Sequence, residues 1–414
     1  MQRNFPQLSE LRPLLQFERP SLDFRANRLA KAADLWDLRR IARRRTPKPA
    51  FDYVDGGAGN EETLRRNRQA FSEVEFLPGI LGGHPTVDLS TTIAGARSAL
   101  PVGIAPTGFT RFMNSEGEEA GVGAAVDTGI PYTLSTMGTR SIEEVAAFQP
   151  AARRWFQLYL WNDHEASLDL VNRAAAAGYD TLMVTVDTAI AGQRLRDVRN
   201  GMTIPPKLNL KTVLDASYRP EWWFNFLTTD SLKFASLSGT SHSLPELINS
   251  MFDPTLSLQD LRWLRSVWPG QLFVKGVLTA EDARKALESG ADGLVVSNHG
   301  GRQLDRAPAS LQALREVRDA VGPDIELILD SGIMSGGDIA AALCAGADFT
   351  LIGRAYMYGL MAGGRAGVQR ALDILAEELR VVTTLLGVSS VAELGPQHAR
   401  MHWRGPQARP IARP

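Results

Sequence analysis

Eight short apolar runs, each leading into a segment of helical pattern, set the strongest limit on how this chain can fold. The runs cover residues 102–107, 132–135, 155–160, 182–187, 272–276, 293–298, 327–330 and 349–353. They lack the alternation of a sheet with one wet face, so they read as strands covered on both sides. Helical patterns follow at 116–128, 142–148, 165–177, 279–289, 309–321 and 337–345. Thr279 can cap its helix, with Glu281 and Asp282 at the positive end. Eight such units predict an α/β fold, a closed (β/α)8 TIM barrel whose active site lies at the C-terminal strand ends.

The rest of the chain reads as additions to that barrel. Residues 1–27, rich in Pro and charge, predict an irregular N-terminal arm; 28–394 form the barrel body; 395–414 form a tail. Residues 34–45 carry five arginines around Leu35, Leu38 and Ile41, which reads as a helix with a solvated basic face. The connection 188–257 breaks the rhythm and predicts a lid or a membrane-contact loop after the fourth strand. Within it, Trp222-Trp223-Phe224-Asn225-Phe226 fits either a small helix packing its rings on the barrel or a surface-binding patch.

Composition narrows the class. A formal net charge of -1 gives no argument for nucleic acid. Cys344 is the only cysteine, so no internal disulfide and no all-cysteine metal site can form, and no metal is expected. No stretch reads as membrane-spanning, and the N-terminus lacks the apolar core of a secretory signal. The expectation is a cytoplasmic protein, with peripheral contact to the inner face of the membrane as an added option.

Polar residues fall where the barrel reading puts the active site. The first run ends in Pro106-Thr107-Gly108 and the second in Ser135; the third carries Gln157 and Tyr159. The fourth ends in Thr185-Val186-Asp187, and the fifth holds Lys275 among apolar neighbours, a poor place for a cation unless an anion meets it. Ser297 and His299 follow the sixth, Asp330 the seventh, and Gly353-Arg354 the eighth. One such group could be a satisfied core residue; eight in register point to one converging site. His299 and Arg302 stand three apart in Ser297-Asn298-His299-Gly300-Gly301-Arg302-Gln303-Leu304-Asp305. A base near neutral pH beside a fixed cation suits an anionic substrate that must lose a proton. The turns Asp330-Ser331-Gly332-Ile333-Met334-Ser335-Gly336-Gly337 and Ile352-Gly353-Arg354-Ala355 occupy the usual phosphate position of such barrels.

These residues resemble the FMN-dependent α-hydroxy-acid oxidases and dehydrogenases over about residues 35–394. The stretch from Ser297 to Asp305 is the most specific motif. Support comes from Phe51-Asp52-Tyr53, Ile104-Ala105-Pro106-Thr107, Phe156-Gln157-Leu158-Tyr159, Thr185-Val186-Asp187 and Val274-Lys275-Gly276. Arg194 through Met202 and Gly353 through Tyr356 resemble the actinobacterial L-lactate dehydrogenases within that family.

The resemblance implies FMN and oxidation of a small L-2-hydroxy acid, L-lactate first, with electrons passed to a quinone-like acceptor. It makes His299 the base, paired with Asp187. Arg194 and Arg302 would clamp the carboxylate, and Tyr53 and Tyr159 would bond the substrate. Lys275 would stabilise the reduced ring. Pro106, Thr107, Gly108, Ser135, Gln157, Thr185, Ser297, Asp330, Ser331, Gly332, Gly353 and Arg354 would hold the cofactor. It also implies a homo-tetramer.

Three positions depart from the family pattern. Met334 stands where many members have a phosphate-gripping Arg, which predicts loose FMN retention. Met137 replaces a Trp of glycolate oxidase beside the substrate side chain. Gly108 replaces an Ala and leans towards dehydrogenase over oxidase. An oxygen-using oxidase, a peptide-modifying FMN enzyme of the mycofactocin-synthase type, a non-catalytic flavin-binding or ligand-sensing barrel and a phosphate-sugar enzyme are the competing readings.

Overall fold

A computed structural model describes residues 22–161, 163–201, 217–230, 232, 235–237 and 253–402. Eight strands close into a parallel barrel: β1 (Val102–Ile104), β2 (Tyr132–Ser135), β3 (Arg154–Leu158), β4 (Thr181–Thr185), β5 (Gln271–Val277), β6 (Gly293–Val296), β7 (Glu326–Leu329) and β8 (Phe349–Ile352). Each pairs with its successor, and β8 closes on β1 through Thr350 opposite Val102.

The two-residue period of a strand sorts these segments into an inside and an outside. Trp155, Met183, Phe273, Val295, Ile328 and Phe349 form the cluster inside the barrel. Their chain neighbours Phe156, Leu182, Leu272, Leu294, Leu327 and Val184 belong to the outer core with the surrounding helices. Both layers are buried, which is why the strands read as continuous apolar runs. Each large side chain buried this way contributes about 1.5–3 kcal/mol.

A hairpin that the strand–helix pattern does not include plugs the N-terminal end. Thr91–Ile93 pairs antiparallel with Ala96–Ser98, and Ile93 and Ala94 enter the inner cluster. Arg153 fixes it by donating to Ile93 O, Ala94 O and Ala96 O, while Glu326 accepts from Ala94 N. With one end sealed, only the C-terminal mouth can receive a ligand.

The described residues nearest each end carry regular structure. The boundary at residue 27 falls inside a helix, Phe24–Ala30, capped by Asp23. Ala399–Met401 pairs antiparallel with Val74–Phe76, so the tail begins as a strand. Residues 1–21 and 403–414 lie outside the described residues, as do Met202 and the parts 202–216 and 238–252 of the long connection. The described parts of that connection contain two α-helices, Leu195–Arg199 and Pro220–Thr228. Trp222 and Phe226 pack edge-on against Phe112, and Trp222 Nε1 donates to Phe112 O at 3.0 Å. Phe224 and Leu227 of the same helix are exposed. The aromatic cluster is thus divided between packing and surface. No helix among the described residues is long and apolar enough to cross a membrane.

Candidate active site

Period two places a polar residue two positions above five of the six interior apolar ones: Gln157 above Trp155, Thr185 above Met183, Lys275 above Phe273, Ser297 above Val295, Asp330 above Ile328. The ladders stop before several of these groups, so the side chains ring the mouth of a cleft of about 680 Å³. Tyr53, Pro106, Thr107, Gly108, Ser135, Gln157, Tyr159, Thr185 and Arg194 line it on one side of the chain order. Lys275, His299, Arg302, Asp330, Ser331, Gly332, Gly353 and Arg354 complete it. Asp187 and Ser297 stand just behind, each bonded to a lining residue.

His299 is held by a loop in which local geometry departs from the helical and extended norms. His299, Gly300 and Gly301 have φ of 56°, 65° and 72°. For a histidine that left-handed conformation costs roughly 1–3 kcal/mol. Hydrogen bonds fix it: Ser297 Oγ accepts from His299 N, Ser331 Oγ from Gly300 N, and Asn298 Oδ1 from Gly301 N, at 2.9–3.0 Å. Asp305 closes the motif by accepting from Asn60 N and Thr63 N.

The imidazole Nδ1 lies 3.0 Å from Asp187 Oδ1. In the tautomer where Nδ1–H donates to that carboxylate, Nε2 remains as the acceptor. Burial pushes the Asp187 carboxyl up, but His299 and Lys275 outweigh it and hold the pKa below the usual carboxylate value. Asp187 Oδ2 has no partner among the described residues. Gly276, at φ 108°, makes room: a Cβ there would lie 2.7 Å from Asp187 Cβ.

Two arginines share the substrate side. Arg302 and Arg194 lie 4.8 and 5.2 Å from the centroid of the Tyr53 ring. Burial, then the neighbouring Arg194, pushes the Arg302 pKa down to about 10. Two adjacent, partly buried cations are an unfavourable arrangement that a bound carboxylate relieves. Arg194 has partial compensation from Asp197 at 3.3 Å. Burial holds the Tyr159 phenol protonated, well above its ordinary range, so it is a hydrogen-bond donor.

The cofactor side has a different character. Ser135 Oγ donates to Gln157 Oε1 at 2.9 Å, leaving Gln157 Nε2 buried without a partner among the described residues; Thr185 Oγ1 is likewise unpaired. Thr185 pairs in register with Lys275. Lys275 Nζ lies 3.0 Å from both Ser297 Oγ and Asp330 Oδ2. Burial lowers its pKa, but Asp330 and Asp187 raise it further, so it stays charged. Orphaned donors beside a buried ammonium fit a planar ring edged with carbonyl and imide groups, as in the isoalloxazine of FMN.

Beyond them lies the turn after β7, where Ser331 Oγ donates to Asp330 Oδ1 at 2.6 Å and Met334 is buried. Arg354 Nε, Nη1 and Nη2 donate to Val54 O, Gly300 O and Gly56 O at 2.7–2.9 Å. Arg302 Nη1 also reaches Tyr53 O. Both arginines thereby satisfy carbonyls at the C-terminal end of helix Lys48–Asp55, where cations are favoured.

The motif reading missed a charged wall built from the N-terminal helices. Arg39 was expected on a solvated face; instead it grips Asp55 at 2.6 and 2.9 Å and lines the cleft. Arg196 bonds Asp55 and Glu61, and Tyr358 Oη donates to Asp55. Trp36 and Arg68 also line this wall. Asp55, a carboxylate four residues after Phe51 on an apolar face, was the available signal.

Comparison with known proteins agrees with this geometry. Residues 42–401 match the family described as FMN-dependent dehydrogenase. A Mycobacterium tuberculosis protein named "Putative L-lactate dehydrogenase" is 53% identical over 396 residues, 96% of each chain. An L-lactate dehydrogenase of Xanthobacter autotrophicus is 41% identical, covering 86% of this chain and 94% of that protein. The crystal structure of the monotopic membrane protein (S)-mandelate dehydrogenase superposes with a TM-score of 0.86 at 35% identity, covering 90% of this chain and 100% of that one. The chain belongs to the FMN-dependent dehydrogenase family.

Proposed function

We propose that this enzyme oxidises a small L-2-hydroxy acid, L-lactate first, to the 2-oxo acid, and passes the electrons to a quinone-like acceptor. The observation that carries this reading is the partly buried Arg194–Arg302 pair beside the His299–Asp187 pair in one cleft. The arginines bind the carboxylate and fix the orientation of the α-carbon. Tyr159 and Tyr53 hydrogen-bond the substrate at its polar end. His299 Nε2 takes a substrate proton, and Asp187 stabilises the imidazolium that results. FMN, held by Ser135, Gln157, Thr185 and Lys275, supplies the two-electron acceptor when bound. The close spacing of the two arginines favours a small acid over a modified peptide.

The test is anaerobic mixing of the yellow protein with L-lactate, followed by air. Rapid bleaching of the flavin band with slow recovery is expected. Rapid recovery would make the enzyme an oxidase, and a bound flavin that does not bleach would overturn the substrate assignment.

The exposed side of helix Pro220–Thr228 fits contact with a lipid surface, where such an acceptor would reside. Phe224 and Leu227 are 67% and 70% exposed. Replacing both with Ser leaves the packed Trp222 and Phe226 in place. It should release the protein from vesicles with dye-linked activity unchanged; unchanged partitioning would remove the lipid role.

A further inference from the structure

The phosphate end of the cleft has fewer available cations than its arginine content suggests. Arg354 is committed to three backbone carbonyls. Arg39 is held by both oxygens of Asp55. Lys275 is paired with Asp330 and Ser297 and serves the flavin ring, not the phosphate. Position 334, on the turn after β7, is a buried Met and brings no charge. A phosphate dianion at that turn needs a guanidinium or ammonium partner in addition to backbone N–H groups.

Arg68, on helix Glu62–Ser72, reaches the same turn. Its Nη1 donates to Gly332 O and to Asp338 Oδ2, the latter at 2.5 Å. Its Nε and Nη2 make no hydrogen bond among the described residues. The guanidinium carbon lies 5.8 Å from the Trp36 ring centroid and 5.4 Å from that of Phe71, which fixes its plane. Arg68 lines the cleft together with Gly332, Ile333 and Met334, whereas Asp338 does not. Asp338 also accepts from Met334 N at 2.7 Å, so its carboxylate is directed at the turn's own backbone. The result is a preoriented guanidinium with one edge unfilled at the turn that takes the phosphate.

We propose that Arg68 is a phosphate ligand of FMN and supplies through its Nε–Nη2 edge the charge that Met334 does not. The proposal rests on FMN as the cofactor. It replaces the loose retention inferred from Met334 alone: FMN stays bound on dilution.

The experiment titrates apoprotein with FMN and, separately, with riboflavin, following quenching of flavin fluorescence. Wild type should prefer FMN. Arg68→Gln should weaken FMN binding roughly 10- to 100-fold, the scale of a charge-assisted hydrogen bond, and leave riboflavin binding unchanged. Adding Met334→Arg to Arg68→Gln should restore most of the FMN affinity. Equal losses for both flavins, or none, would overturn the role of Arg68. A wild type without preference for FMN would instead overturn the phosphate site as a whole. Should Arg68→Gln not fold, Met334→Arg in the wild-type background decides: a gain below about threefold means the cation is already present, and a gain above about tenfold means it is not.

Discussion

The two ends of the cleft use arginine in opposite ways. At the substrate end, Arg302 and Arg194 stand side by side against one tyrosine ring, and burial with mutual repulsion lowers the pKa of Arg302. At the far end, each Nε and Nη nitrogen of Arg354 is bonded to a carbonyl, and Arg39 is neutralised by a buried carboxylate. The first arrangement gains by taking up an anion. The second engages three of the five N–H groups of Arg354 with backbone carbonyls and holds the walls together, although burial lowers the pKa of Arg354 as well. On the proposed reading, substrate turns over at the first end and the cofactor resides at the second, and the asymmetry suits those two tasks.

The largest effect should come from the proton acceptor at the substrate end. His299→Gln keeps the loop and the bound flavin but removes the acceptor nitrogen. Flavin reduction by L-lactate should slow by roughly 10²–10⁴-fold, measured by anaerobic stopped flow. Normal reduction in that variant would remove His299 from the chemistry.

Arginine-to-lysine changes at the two ends test the comparison directly. Arg302→Lys keeps the charge but loses the planar fork, so KM for lactate should rise roughly 10- to 100-fold, while the melting temperature falls less than in Arg354→Lys because Arg302 engages the helix end through Nη1 alone. Arg354→Lys cannot serve three carbonyls at once. A hydrogen bond from a charged donor is worth about 1.5–3 kcal/mol, so thermal stability should fall, with KM little changed in the protein that remains folded. If both variants behave alike, the two ends are not different in kind.

How much of this the sequence made legible depended on range. The eight strands follow from short apolar runs set between segments of period 3.6, and the polar ring from where those runs stop, which are local signals. His299, Arg302 and Asp305 sit in one short motif, and their turn is written in Gly300 and Gly301. What stayed hidden were partners far apart in the chain. Arg354 bonds Val54 across 300 positions, Arg68 meets Asp338 across 270, and Arg39 finds Asp55 only once two helices pack. An arginine run looks solvated until the carboxylate opposite it is known. The plugging hairpin was missed for another reason: its strands are three residues each, too short to show a period.

Asp187 gives a pH test of the substrate end. Its pKa is depressed below 3.8 in the folded protein, so its contribution to stability is fully present above that value. It is lost as pH falls through the depressed native value, where the folded state must also take up the proton. The stability gap between wild type and Asp187→Asn should therefore shrink as pH falls below about 4. Urea unfolding across that acidic range reads the gap. A gap that does not shrink there would mean that Asp187 is not held ionised by His299 and Lys275.

The smallest effect concerns the boundary between the two ends. A Cβ on Gly108 would lie 2.7 Å from Met137 Cβ and 3.1 Å from Met137 O. Both atoms are fixed to the backbone, so Gly108→Ala must shift the chain at Met137 itself and not only its flexible thioether end. Stability should drop by about 1–3 kcal/mol. In the double variant with Met137→Gly, the Cβ contact is removed while the carbonyl stays close. The two changes should couple by roughly 0.5–3 kcal/mol in a double-mutant cycle. Reoxidation of the reduced flavin by air, measured in the same four proteins, separates packing from chemistry. A rate that follows residue 108 regardless of residue 137 places oxygen control at the flavin side, and a rate that follows the strain places it in the shape of the substrate pocket.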